Sequence, residues 1–169
     1  MSSTLFVDAI EPNLSSGVHI PGHVMQVQSG ILTSTYSQTA VAWADIGLSA
    51  AITPSSTSSK ILISLTVSVG MTETGVNVRL RLVRGGTMIG SSTDLADSGF
   101  SHIEQNTVGN QYTRRLESFT YLDSPSATSA QTYKVQMYKS NNTGTSYINR
   151  GAVDQSRQHS HIILQEIAQ

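Results

Sequence analysis

The stretch Lys60-Ile-Leu-Ile-Ser-Leu-Thr-Val-Ser-Val-Gly70 decides how this chain is read. Ile61, Ile63, Leu65, Val67 and Val69 occupy every second position, and Ser64, Thr66 and Ser68 fall between them. Successive strand side chains point to opposite sides, so the segment has the pattern of a strand with one apolar and one hydroxyl face. A helix would scatter those apolar residues around its circumference. Immediately downstream, Val76-Asn-Val-Arg-Leu-Arg-Leu82 repeats the pattern, with Val76, Val78, Leu80 and Leu82 on one side and Arg79 and Arg81 on the other. The linker Met71-Thr-Glu-Thr-Gly75 is short and ends in Gly, which suits a hairpin. The expectation is an antiparallel β-sandwich with this hairpin at its centre.

Working outward, Val24–Tyr36 reads as the first body strand, with Gly30 marking a bulge. Trp43–Ile52 follows, with Ile46, Leu48, Ala50 and Ile52 on one face. Gly85-Gly86 reads as a tight turn, and residues 91–111, rich in Gly, Ser, Asp and Asn, as the longest loop region. Strands are expected over Tyr112–Leu122, Thr132–Tyr138, Ser146–Asn149 and Ser160–Ile167. About eight body strands with turn signals between most of them, and no segment of helical period, point to an all-β, jelly-roll-like sandwich over residues 24–169. Residues 1–23 differ. Leu5, Phe6, Val7, Ile10, Val18 and Ile20 form short apolar patches broken by Glu11–Gly17 and Pro21-Gly22. They suit an N-terminal arm that docks on a neighbouring protein, or else a first edge strand of the same body.

Composition narrows the function classes. A chain of 169 residues is long enough for one domain with a sizeable core. Ser and Thr make up about a quarter of it, yet 38% hydrophobic residues and a formal charge of −1 do not describe a disordered chain. Near-neutral charge also lacks the basic surface that nucleic-acid binding needs. There is no cysteine, hence no disulfide and no thiolate metal site, which permits assembly in a reducing cytoplasm. No signal-peptide pattern opens the sequence, and no run approaches the roughly 20 apolar residues of a membrane span, so no membrane insertion is expected.

Several phrases, taken together, resemble the tail-fibre-like virion proteins of cyanobacterial and other marine bacteriophages. Ile20-Pro-Gly-His-Val-Met-Gln-Val27 is similar to their IPGHVVQV opening. Asp45–Ile63 resembles their DTGLSASITPSSASSKILV segment. Leu82-Val-Arg-Gly-Gly-Thr87 looks like LLRGST, and Tyr121–Gln136 like YLDSPATTSATTYKVQ. Val153–Ile167 stands where a closing strand ending ITLMEI would be. The resemblance runs from about residue 20 to the end. It implies a non-enzymatic virion structural protein, assembled in the host cytoplasm, built as a homotrimeric β-sandwich on a tail fibre or other appendage and bound to other tail or capsid proteins. The chain has no room for a long shaft, so a small tail-associated piece or a capsid decoration (cement) protein suits the size. A receptor-binding tip that holds a host cell-surface glycan is the remaining alternative.

The chemistry-bearing residues are few. His159 and His161 would share a face of a strand, but two imidazoles without a third ligand do not make a metal site, and none is assigned. Asp94, Asp97 and Glu104 match no calcium-loop spacing. No nucleophile elbow, phosphate loop or paired catalytic acid occurs, so no catalytic residue and no cofactor is assigned. The aromatics Tyr36, Trp43, Tyr112, Tyr121, Tyr133, Tyr138 and Tyr147 mostly alternate with strand residues and read as packing. Arg79 and Arg81, on one strand face, are a candidate subunit contact, since Arg is enriched at interfaces. Arg114 and Arg115 form the other basic pair.

Overall fold

The computed structural model describes residues 20–72, 76–91, 99–104, 113–141, 143–151 and 157–169. Those residues form eleven strands and no helix: β1 Val24–Leu32, β2 Tyr36–Gln38, β3 Trp43–Ile52, β4 Lys60–Met71, β5 Asn77–Arg84, β6 Thr87–Ile89, β7 Ser101–Glu104, β8 Thr113–Asp123, β9 Gln131–Lys139, β10 Ser146–Ile148 and β11 Ser160–Ile167. Every ladder is antiparallel.

The strands make two sheets. In one, β1 pairs β11, β11 and β10 pair one edge of β4, β2 pairs β10, and β8 pairs the other edge of β4. In the second, β3 pairs β9, β9 pairs β5, and β6 and β7 share the remaining edge of β5. Three strand positions are thus each filled by two short pieces: β1 with β2, β6 with β7, and β10 with β11. Numbered as eight positions along the chain, the sheets run 1-8-3-6 and 2-7-4-5. This is the order of a jelly roll, and it accounts for both the eight-strand expectation and the eleven observed pieces.

The core lies between the sheets. Ile61, Ile63, Leu65, Val67 and Val69 of β4 are buried against Ile46, Leu48 and Ile52 of β3, Val78, Leu80 and Leu82 of β5, and Tyr133, Val135 and Met137 of β9. The two-residue alternation read from the sequence is therefore the alternation between this core and the outside.

The expected hairpin does not form. β4 and β5 lie in opposite sheets, so the connection between them crosses the sandwich. The physical reason is that both edges of β4 are taken, by β8 on one side and by β11 and β10 on the other. The apolar faces of β4 and β5 are buried by facing each other across the core instead of lying side by side. Three smaller expectations also change. Val24–Tyr36 is split into β1 and β2, residues 91–111 contain strand β7, and the β1 bulge falls between Val24 and Gln26, away from Gly30. Gly85-Gly86 does close a two-residue hairpin between β5 and β6, and Gly85 takes φ 59°, as the first position of a type II′ turn requires.

The break between β1 and β2 sits beside the break between β10 and β11, and Asn149 fills the junction. Its side-chain amide donates to the carbonyls of Leu32 (2.7 Å), at the end of β1, and Ser34 (2.9 Å), in the break before β2. Its Oδ1 accepts from Ser160 Oγ at 2.7 Å, and Ser160 Oγ accepts from the Ser68 amide at 3.1 Å. Asn149 itself is buried with φ 62°, a left-handed conformation that Asn tolerates better than most residues.

Gly30 serves a close approach of the two sheets. A Cβ there would sit 2.0 Å from the Ser49 carbonyl oxygen on β3. Gly30→Ala is therefore expected to force β1 off β3 and lower stability by about 2 kcal/mol or more. Gly86→Ala, where a Cβ meets nothing within 4 Å, is expected to leave the unfolding midpoint nearly unchanged. Thermal unfolding of the two variants side by side checks this, and equal midpoints would show that the sheets do not close on Gly30.

Candidate functional site

With the inner faces occupied by the core, the surfaces available for function are the outer faces of the two sheets, and they differ sharply in chemistry. Outside the β3–β9–β5–β7 sheet, neighbouring strands align Trp43, Tyr138, Arg79 and His102 in one row and Asp45, Gln136 and Arg81 in the next. The Arg81 guanidinium lies over the Trp43 ring at 4.1 Å, Trp43 and Tyr138 are 5.4 Å apart, and Arg79 lies over Tyr138 at 5.7 Å. Arg81 Nε donates to Gln136 Oε1 at 2.8 Å, and Lys134 Nζ donates to Asp45 Oδ2 at 2.7 Å. The Lys134 hydrogen bond holds the Asp45 carboxyl below its usual range. Cations over aromatic faces contribute about 0.5–1 kcal/mol each at exposed sites. Arg79 and Arg81 are thus brought together on one surface, as the sequence pattern required, and both engage aromatic rings of their own chain.

The outer face of the β1–β11–β4–β8 sheet is built from other residues. Across the four strands, the register places Val27, Gln165, Leu62 and Leu122 in one row. The adjacent rows are Ser29, Ile163, Ser64 and Thr120, then Ile31, His161, Thr66 and Ser118. Val24, Ile167 and Lys60 form the row at one end. At the other end Arg150 and Gly151 pass over Gly70, where a Cβ would meet the Arg150 carbonyl at 2.3 Å. Val24, Val27, Ile31, Leu116 and Leu122 are all large apolar side chains left exposed on this sheet, Ile31 at 69% and Leu116 at 62%. The charged strand residues of the face, Lys60 and Arg114, stand at its two ends. Apolar and hydroxyl residues, with Gln165 and His161, fill the area between them.

Two ionic clusters hold the body together. Arg84 Nη1 lies 2.5 Å from Asp123 Oδ2, and the Tyr133 hydroxyl donates to the same oxygen at 2.7 Å. Burial and then the hydrogen bond to Asp123 push the Tyr133 phenol up, so it stays a donor at any ordinary pH. Glu166, buried on β11, accepts from the Ser55 amide (2.7 Å), Ser55 Oγ (2.5 Å) and Gln26 Nε2 (2.6 Å). Burial alone would raise the Glu166 pKa, but these donors outweigh it and the carboxyl titrates below its usual range. Both clusters tie the body internally: Arg84–Asp123 spans the two sheets, and Glu166 pins the loop after β3 to β11 and β1.

His161 lies on the outer face of β11 and His159 just before that strand. Among the described residues no three His, Asp or Glu side chains gather closely enough to share an ion. Glu104 faces His102, with Oε1 and Nε2 3.3 Å apart. Asp94, Asp97, Tyr112 and the arm residues Leu5, Phe6, Val7, Ile10 and Val18 lie outside the described residues. Ile20 is exposed, and the chain beside it is tied to the C-terminus, since Gly22 N donates to Ala168 O at 2.8 Å and Ala168 N to His23 O at 2.9 Å. No helix among the described residues is long and apolar enough to cross a membrane.

No family model matches the sequence, and neither does any curated protein sequence. Among solved structures, the chain is similar to one from the infectious bursal disease virus Gx strain, at 11% identity and a TM-score of 0.44. The match covers 98% of this chain and 43% of that one, so this chain spans less than half the length of that viral protein. A likeness at this level carries no functional argument.

The Glu166 cluster sets an acid limit. A carboxyl whose folded pKa is depressed stabilises above its unfolded value, about 4.3 for Glu, and loses that contribution as pH falls through the folded value. Glu166→Gln is therefore expected to be less stable than the native chain at neutral pH, with the gap narrowing in acid, below the ordinary carboxyl range. Chemical denaturation at neutral and at acid pH checks this. An unchanged gap would show that the Glu166 charge contributes nothing.

Proposed function

We propose that this chain is a bacteriophage virion structural protein: a small homotrimeric jelly-roll module of a tail fibre or other appendage, anchored by the arm that carries Leu5, Phe6, Val7, Ile10, Val18 and Ile20. The observation that carries the reading is the apolar, nearly uncharged outer face of the β1–β11–β4–β8 sheet. Exposed apolar area of this kind marks a surface meant to be covered. The resemblance of several sequence phrases to phage appendage proteins says in what setting. On this reading the protein works by burying apolar area on assembly and performs no reaction. A capsid decoration protein would use the same surface and differ only in where the arm attaches.

A glycan-binding tip would rest on the opposite sheet, where Trp43 and Tyr138 stand among polar groups. The Trp43 ring is already capped by Arg81 at 4.1 Å, and Asp45, Gln136 and Lys134 already bond one another. That favours a self-contained ladder over a sugar platform.

Deletion of residues 1–19 is expected to leave a folded trimer in sedimentation that no longer co-purifies with virions. A deletion variant that still joins the particle would remove the anchoring role from the arm. One that fails to fold would assign the segment to the sandwich.

A further inference from the structure

We propose that β8 pairs edge to edge with β8 of a second copy of this chain, antiparallel and about a twofold axis at Phe119. The inference goes beyond the assembly reading above and does not rest on it, because it concerns a strand edge and not the outer face of a sheet.

A free strand edge dictates what can cover it. Its outward N–H and C=O groups repeat at strand spacing, and another extended backbone satisfies them in series. The other edges of the sandwich are guarded. β2, β6 and β7 are only three or four residues long. β1 and β3 each carry a break in register, and β3 passes through Gly47 at φ 88°. Short strands and bulges keep neighbouring chains from pairing. β8 has neither device. Its eleven residues pair with β4 in unbroken register from Thr113 to Asp123, and no strand among the described residues pairs with its other edge. It contains no Gly, Pro or Lys, and Ser118–Leu122 carries no charge. On its inward side Phe119 stacks against Phe100 at 4.5 Å and Tyr121 at 6.2 Å, and both β8 rings are only half-buried at this margin.

The sequence of β8 selects its own copy and the register. With the axis at Phe119, Leu116 lies opposite Leu122 of the second copy, and Ser118 opposite Thr120. Leu116, 62% exposed, and Leu122, 47% exposed, thus cover each other, once on either side of the axis. On the inward side Phe119 meets its counterpart, Glu117 meets Tyr121, and Arg115 meets Asp123, an opposite-charge pair. Other registers lose these contacts. An axis at Thr120 sets Glu117 opposite Asp123, and one at Glu117 sets that residue opposite itself; like charges directly opposite are destabilising. An axis at Ser118 sets Leu122 opposite Arg114 and Leu116 opposite Thr120. An axis between two residues sets inward side chains against outward ones. The contact is isologous, so it closes at two copies. One strand pair is a small contact, at the weak end of specific interfaces, which suits covalent trapping.

The chain has no cysteine, which makes the test direct. Within one copy Leu116 and Leu122 stand about 20 Å apart along the extended strand, well beyond the roughly 7 Å that a disulfide bridges. Opposite residues of paired antiparallel strands have Cα atoms about 4.5–5.5 Å apart, within that range. Oxidation of a Leu116→Cys/Leu122→Cys double variant is therefore expected to give a covalent dimer and nothing larger on a non-reducing gel, with each single variant staying monomeric. Circular dichroism of the reduced variants checks that these exposed substitutions leave the fold intact. A folded double variant that stays uncross-linked would overturn the pairing. A single variant that cross-links to itself would overturn the register, and products larger than the dimer would overturn the twofold closure. Sedimentation of the native chain separates this inference from the assembly reading. A native trimer without the covalent dimer would overturn the β8 pairing alone. A covalent dimer from a chain that never sediments beyond two copies would support the pairing and overturn the threefold state alone.

Discussion

The structure depends on β4 being a strand with no free edge. Its twelve residues pair with β8 along one side and with β11 and β10 along the other, while its inner side chains lie in the core. Most backbone donors and acceptors along it therefore have a ladder to join, and Ser68, in the gap between β10 and β11, donates to Ser160 Oγ and accepts from the Asn149 amide instead, so an apolar run this long is buried with its backbone paired. With its edges taken, β4 cannot pair with β5, the next strand in the chain. β5 must go to the other sheet, and β9 and β3 follow it there. The jelly-roll order is thus a consequence of which strands close the edges of β4.

The same arrangement divides the protein chemically. Three sets of polar groups that enter the sandwich are tied off in compact clusters: Glu166 with Ser55 and Gln26, Asp123 with Arg84 and Tyr133, and Asn149 at the paired strand breaks. One outer face carries a ladder of cations, aromatics and a carboxylate that engage one another. The central rows of the other hold serine, threonine and aliphatic side chains with Gln165 and His161, and no charged residue. A structural role built on association draws on that asymmetry, because only the second face improves when it is covered.

Much of this was legible in the sequence, because a two-residue period reports directly which side of a strand is buried. Ile61 to Val69, Ile46 to Ile52 and Val78 to Leu82 all fall where their alternation puts them. Which strands share a sheet was not legible, since it is decided by contacts remote in the chain. Thr66 meets Ser118, 52 residues away, and Ser68 meets Ser160, 92 residues away. A short linker with a glycine invites a hairpin on local grounds, and the longer-range pairing overrides it. Gly30 was recognised as special, but a lone glycine in a strand fits a bulge as well as a close approach, and only the position of Ser49 decides between them. Asn149 gave no signal, because the broken strands it serves are visible only in three dimensions. The neutral face did leave a trace: Ser160-His-Ile-Ile-Leu-Gln-Glu-Ile167 places Ile163 and Ile167 on the side opposite Ile162 and Leu164, more apolar than a solvated face requires. The Arg79 and Arg81 pair drew attention as a contact surface, yet its ring partners Trp43 and Tyr138 come from strands that the linear pattern does not place beside it.

Residue-resolved amide hydrogen exchange tests the central position of β4 most directly. The account predicts that the amides from Ile61 to Val69 are among the slowest in the protein and exchange only through global unfolding, while β8, paired on one side within the chain, opens more readily. Exchange in β4 as fast as in β8 would contradict it, and would mean that the jelly roll is not organised around that strand.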